Sequence, residues 1–192
     1  MNKSDLVVLG FLSRKDMYGY EIIQWLKTHH LDKWADVKMP SVYKAMQRLE
    51  KNEQIAGKAV TEGNNPPRKV YSITNTGRDL LLKLQHHYLS KGGDSKAFWL
   101  GISFMGGGFE QTEFISLLDT RLQKSEEHIR FHQQMHEELK KSKNWTHIPF
   151  FIKTLMKMGE RMHKEDVRSL KELRIEAEKT ENLNYFRQEG KE

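Results

Sequence analysis

Lys69-Val70-Tyr71-Ser72-Ile73-Thr74-Asn75-Thr76-Gly77 is a basic, β-prone ribbon that stops at a threonine and passes straight into a new helix. The stretch Pro40–Asn52 lies upstream of it. There Val42, Ala45, Met46 and Leu49 recur at helical spacing and form a buried stripe, with Pro40 in the first turn, where its missing N–H is no loss. Ser41, Lys44, Gln47, Arg48 and Lys51 then fall on the outward face. Ile55–Val60 and Lys69–Ile73 read as two short strands, joined by the loop-forming Glu62-Gly63-Asn64-Asn65-Pro66-Pro67. A cationic helix followed by a cationic β-hairpin is the layout of a winged helix-turn-helix. That layout predicts a reader of double-stranded DNA.

Working outward, Leu6, Val7, Leu9 and Phe11 predict a first helix over about Ser4–Ser13, with Ser4 as its N-cap. The apolar run Leu6–Leu12 is too short for a membrane span, and no small-residue cleavage site follows it, so it is expected to be a buried helix. Tyr20, Ile23 and Leu26 predict a second amphipathic helix over Tyr18–His29. Thr74 is expected to cap a fourth helix, Asn75–Leu89.

Lys91-Gly92-Gly93-Asp94 is the expected boundary between a winged-helix domain, residues 1–91, and a helical domain, residues 92–192. Ala97–Met105 reads as a short helix that Gly106-Gly107-Gly108 must break, since each glycine weakens a helix by up to about 1 kcal/mol. Two long helices follow, Glu110–Lys141 and Pro149–Lys179. The first carries Ile115, Leu118, Leu122, Ser125, Ile129, His132, His136 and Leu139 at alternating spacings of three and four. The second repeats the pattern with Ile152, Met156, Gly159, His163, Asp166, Leu170, Leu173 and Ala177. Single apolar stripes on long helices predict pairing with each other and with a second subunit, which makes this half the dimerisation domain. The tail after Leu183 is expected to fray. The fold class expected is mainly α, with an N-terminal winged helix-turn-helix and a long-helix C-terminal domain.

Composition agrees with a thin helical protein: of 192 residues, 37% are hydrophobic and 30% charged, a low apolar share for one globule. The net charge of +6 and pI near 9.3 suit an acidic partner. Residues 1–90 hold 14 Lys/Arg against 9 Asp/Glu, and the rest 18 against 17, so the excess lies in the half expected to bind DNA. There is no cysteine, hence no disulfide framework and no thiolate chemistry, which fits a cytoplasmic protein.

Three segments carry a family likeness: Tyr18-Gly19-Tyr20-Glu21-Ile22, Ser41-Val42-Tyr43-Lys44-Ala45-Met46-Gln47-Arg48-Leu49-Glu50, and Pro67-Arg68-Lys69-Val70-Tyr71-Ser72-Ile73-Thr74 with Gly77. In order and spacing they resemble the PadR family of bacterial transcription regulators and cover most of residues 1–90. Residues 95–179 resemble the long helical C-terminal domain of its AphA-like branch. The resemblance implies a homodimeric winged-helix DNA-binding protein, usually a repressor, sometimes an activator, and often responsive to a small-molecule effector; a dimer with two recognition helices about 34 Å apart favours an inverted-repeat operator. Carried over by position, Ser41, Val42, Tyr43 and Lys44 start the recognition helix, and Arg68 and Lys69 flank the wing. The chain departs from the family where Lys38, Met39 and Pro40 replace a polar cap and glycine, and where Glu53 and Gln54 replace a Gly-Leu pair. The operator sequence therefore does not carry over.

The expected DNA-binding set is Lys38, Ser41, Tyr43, Lys44, Gln47, Arg48, Lys51, Arg68 and Lys69. Glutamine pairs with adenine, and arginine or lysine with guanine or phosphate. The alternative is a winged helix whose basic surface docks an acidic protein. The expected dimer contacts are Ile115, Leu118, Leu122, Ile129, His132, His136, Leu139, Ile152, Met156, Leu170 and Leu173. Phe98, Trp99, Phe104 and Met105 are the candidate lining of an effector pocket, against the plainer reading of core packing. His128, His132 and His136 follow one another at i, i+4, a metal-ligand spacing. With no clear completing Cys or carboxylate, they read as interface histidines, and no metal or other cofactor is expected. No Ser/His/Asp or Cys/His signature is present, and the triple glycine lacks the Lys-Ser/Thr of a phosphate loop, so no enzyme activity is expected.

Overall fold

The computed structural model describes residues 1–61, 67–91, 95–105 and 108–187. The expected loop residues 62–66, the glycines at 92, 93, 106 and 107, and the last five residues of the tail lie outside that set. Two compact units emerge: Met1–Leu89 with Lys96–Met105, and a second built on the two long helices.

In the first unit the order is α1 (Lys3–Leu12), β1 (Met17–Tyr18), α2 (Gly19–Thr28), α3 (Leu31–Trp34), α4 (Met39–Lys51), β2 (Ile55–Val60), β3 (Arg68–Ile73), α5 (Asn75–Ser90) and α6 (Ser95–Ser103). Helix α1 is apolar on every side and fully covered from Leu6 to Leu12, so it is the centre of this core. That burial leaves it no apolar face to offer a second subunit. Helix α2 buries Ile22, Ile23 and Leu26, whereas Tyr20, expected in its buried stripe, is 53% exposed. The left-handed His30 (φ 53°) turns the chain into α3, a short helix the periodicity does not signal.

The sheet has the order β1-β3-β2, with both pairings antiparallel. The two-residue strand β1 is an addition to the expected hairpin: Met17 lies opposite Tyr71 and Tyr18 opposite Val70. It covers the edge of β3 that would otherwise expose unpaired backbone groups.

Two close approaches fix how the helices join this sheet. The Thr74 hydroxyl donates to the Glu53 carbonyl at 2.8 Å and accepts from the Gly77 N–H at 3.1 Å, which is the expected N-cap of α5. A Cβ on Gly77 would lie 2.0 Å from the Gln54 carbonyl oxygen, so the turn requires glycine there. At the other approach, Phe104 sits where a Cβ of Gly10 would be, and its ring meets Phe11 edge-on at 5.2 Å. The buried Gln85 amide donates to the Phe104 carbonyl at 2.9 Å. Ala97, Leu100 and Phe104 thereby complete the core of the first unit.

In the second unit α7 (Gln111–Lys141) and α8 (Phe150–Glu178) form an antiparallel hairpin closed by a 3-10 turn, Lys143–His147. Ion pairs rung it, Arg174 with Asp119 at 2.5 Å and Lys171 with Glu126 at 2.8 Å, and Gln133 donates to Glu160 at 3.0 Å. Leu118, Leu122, Ser125 and His136 of α7 and Leu170 and Ala177 of α8 are buried within this one chain. So are Val167 and the wholly covered Arg121, which the heptad reading omits. Arg121 donates to the Lys91 carbonyl and lies 3.9 Å from Asp166. Ile115, Ile129, His132, Leu139, Met156 and Leu173 are half-buried, and Ile152 is 38% exposed. No helix among the described residues is long and apolar enough to cross a membrane.

Candidate nucleic-acid interface

Helix α4 is anchored through Val42, Ala45, Met46 and Leu49, all buried. That anchoring leaves Ser41, Tyr43, Lys44, Gln47, Arg48 and Lys51 exposed, as their helical positions require. Tyr43 is 50% exposed near the start of the helix, where a hydroxyl can reach a phosphate. Lys38, also exposed, precedes the helix, and its ammonium donates to the Asp32 carbonyl at 2.9 Å. Lys44, Gln47 and Lys51 make no ion pair or side-chain hydrogen bond among the described residues.

Arg48 is different. Its guanidinium pairs with Asp5, a buried carboxylate on α1. It is therefore a tie between α4 and α1, at the side of the face rather than its centre. Lys69 is tied as well: its ammonium lies 2.5 Å from Glu50 of α4 and 5.5 Å from the Tyr71 ring. The Glu50 hydrogen bond pushes the Lys69 pKa up, so it stays charged. It braces the wing against α4, in the space that a side chain at residue 57 would otherwise take from Gly57.

The hairpin register separates the two wing cations. Arg68 pairs with Val60, Lys69 with Ala59 and Lys58 with Val70. Side chains alternate between faces along a strand and share a face across a pair. Arg68 and Lys58 thus lie on one face of the ribbon, and Lys69 lies on the other with Tyr71. The Arg68 guanidinium also sits 5.8 Å over the exposed Tyr20 ring, which stacks on Tyr18 at 5.5 Å. Lys58 is missing from the expected set, although its place in the Ile55–Val60 alternation made it readable. Tyr20 as the support of Arg68 had no local signal, because the two are far apart in sequence.

The residues of the expected effector lining differ in burial. Phe98 and Phe104 are buried, Met105 is half-buried and Trp99 is 39% exposed. Phe104 is engaged with Gly10, Phe11 and, at 5.9 Å, the Arg14 guanidinium. A cavity of about 230 Å³ lies elsewhere, between α7 and α8, lined among others by His132, His136 and His163.

Residues 8–83 match the transcriptional regulator PadR-like family. A Lysinibacillus sphaericus protein described as uncharacterized protein X is similar at 34% identity over 80 residues, covering 42% of this chain and 72% of that protein. Among solved structures, smu.1604c from Streptococcus mutans UA159 is similar over 90% of this chain and 98% of its own, at 24% identity and a TM-score of 0.40. Bacillus subtilis PadR in complex with operator DNA is similar over 91% and 98%, at 19% identity and a TM-score of 0.38.

Proposed function

We propose, from the premise that this chain belongs to the PadR-like family of transcriptional regulators, that it binds double-stranded DNA sequence-specifically as a homodimeric repressor. The observation that carries this reading is the α4 face. Lys44, Gln47 and Lys51 stand exposed, without a side-chain partner among the described residues, on a helix whose opposite side is held in the core, beside a wing that presents Arg68 and Lys58. Base edges in a major groove require just such polar groups on a rigid element. Arg68 and Lys58 suit phosphate contacts, and Lys69 and Arg48 hold the reading helix in place.

The dimer is supported by α8. Phe151, Leu155, Met158 and Met162 recur at spacings of four, three and four and are 51–64% exposed. Phe131 of α7 is exposed to 64% as well. An apolar patch of this kind on a helix face marks an interface, and a second copy of the same stripe is its self-complementary occupant. We assign the long-helix half to this role, as in the AphA-like arrangement. A dimer presenting two α4 helices calls for an inverted repeat with half-sites about 34 Å apart, one turn of DNA. Selection of bound sequences from random duplexes by the full chain tests the reading. An enriched inverted repeat is expected. Binding with no enriched motif would overturn it in favour of the acidic-protein partner.

A further inference from the structure

The α7–α8 hairpin brings together three imidazoles that the sequence keeps apart. His128 and His132 lie one turn apart on α7 and stack at 4.9 Å. His163 of α8 stacks on both, at 5.3 Å from His128 and 5.6 Å from His132. One ring nitrogen from each lies within 4.8 Å of the other two. The completing ligand that the series His128, His132, His136 lacked is thus a histidine from the neighbouring helix. His136 is not part of this triad.

The geometry points to a transition-metal site, with His128, His132 and His163 as three nitrogen ligands to a divalent ion of the zinc class.

Imidazole is a preferred ligand of Zn²⁺, Cu²⁺ and Ni²⁺, and oxygen-seeking Mg²⁺ and Ca²⁺ would be poorly served here. Zinc–nitrogen bonds of about 2.0–2.1 Å place tetrahedral ligand atoms about 3.3 Å apart, so the rings need only small side-chain rotations to converge. The ligands come from two helices already rung together by Gln133 and Glu160 at 3.0 Å, so the backbone is preorganised. Three protein ligands leave a fourth position for water or an outside ligand.

The surroundings provide room for it. The cavity beside the triad is lined by Met135, Leu155 and Met156, and a Cβ added at Gly159 would meet nothing within 4 Å. Glu160 lines it too and carries a full negative charge, its pKa pushed down to about 2 by hydrogen bonds from Lys164 and Gln133. His136 also lines the cavity, and its buried Nε2 has no hydrogen-bond partner among the described residues.

The metal would clamp α7 to α8 near the middle of the hairpin. Zinc titration into the metal-free full chain by calorimetry tests this, with Co²⁺ absorption reporting coordination number. One Zn²⁺ per chain is expected, with the visible band of four-coordinate Co²⁺. His163→Ala and His132→Ala should each weaken binding by at least ~10-fold, while His147→Ala leaves it unchanged. Circular dichroism checks that the variants fold, and His163→Gln serves as a second, volume-conserving variant. Unchanged affinity in a folded His163 variant, or no saturable binding by the native chain, overturns the site.

Discussion

Glu53 occupies a position that glycine normally fills. Its φ is 57°, its N–H donates to the Glu50 carbonyl, and the Gln54 N–H donates to the Leu49 carbonyl at 2.8 Å. That pair of bonds is a Schellman end to α4, whose left-handed residue favours glycine. Replacing Glu53 with Gly should raise stability by about 1 kcal/mol, read as a higher urea midpoint at unchanged slope. Gly77→Ala should do the reverse, losing about 1–3 kcal/mol, because the Gln54 carbonyl must move to admit the methyl. Arg48 belongs at this scale too. Arg48→Ala leaves Asp5 buried without its guanidinium and should cost about 1–3 kcal/mol of stability, a loss that a DNA-only role would not produce.

Among the elements, the wing and α4 divide the work of binding. Arg68→Ala should lower the salt slope of DNA binding by about 0.9 per subunit, one phosphate contact. Lys69→Ala should change it less, since that ammonium is held by Glu50. An equal fall for both would refute the two-faced ribbon. Changing Lys44 and Gln47 should shift the preferred sequence more than the nonspecific affinity, as binding-site selection with the variants would read. The long hairpin carries an acid-sensitive rung. Glu160 has its pKa lowered from 4.5 to about 2, so its contribution is full above pH 4.5 and disappears as pH falls through about 2. The stability difference between the native chain and Glu160→Gln should fade across that window. It should stay below ~1 kcal/mol, because the pair is largely in solvent.

For the whole molecule, the place of α6 decides where the chain can be cut. A fragment ending at residue 93 lacks Ala97, Leu100 and Phe104, which belong to the core of the first unit. A fragment ending at Met105 keeps them. The longer fragment should melt cooperatively at a clearly higher temperature, and Phe104→Ala in the full chain should cost about 3–5 kcal/mol. If the α8 stripe joins two copies, Phe151→Lys with Met158→Lys should give a folded monomer by sedimentation. That monomer should bind an operator far more weakly, since the second half-site no longer adds its effective concentration.

The sequence by itself determined the elements and several of their ends. Spacing of three and four marked α4, α7 and α8, short β-prone runs on either side of a loop-forming stretch marked β2 and β3, and Thr74 marked the start of α5, because each of these signals is local to the backbone. The sequence also showed which residues of α4 face away from its apolar stripe. It could not show what those residues meet. Arg48 finds Asp5, and Lys69 finds Glu50, only once α1, α4 and the wing are packed together. A heptad stripe names an apolar face but not its partner, so Leu118, Leu122 and Leu170 are buried within the single chain while Phe151, Leu155, Met158 and Met162 are left exposed. The histidine triad is the same case: i, i+4 spacing aligned His128 with His132, and only the antiparallel return of α8 brings His163 beside them.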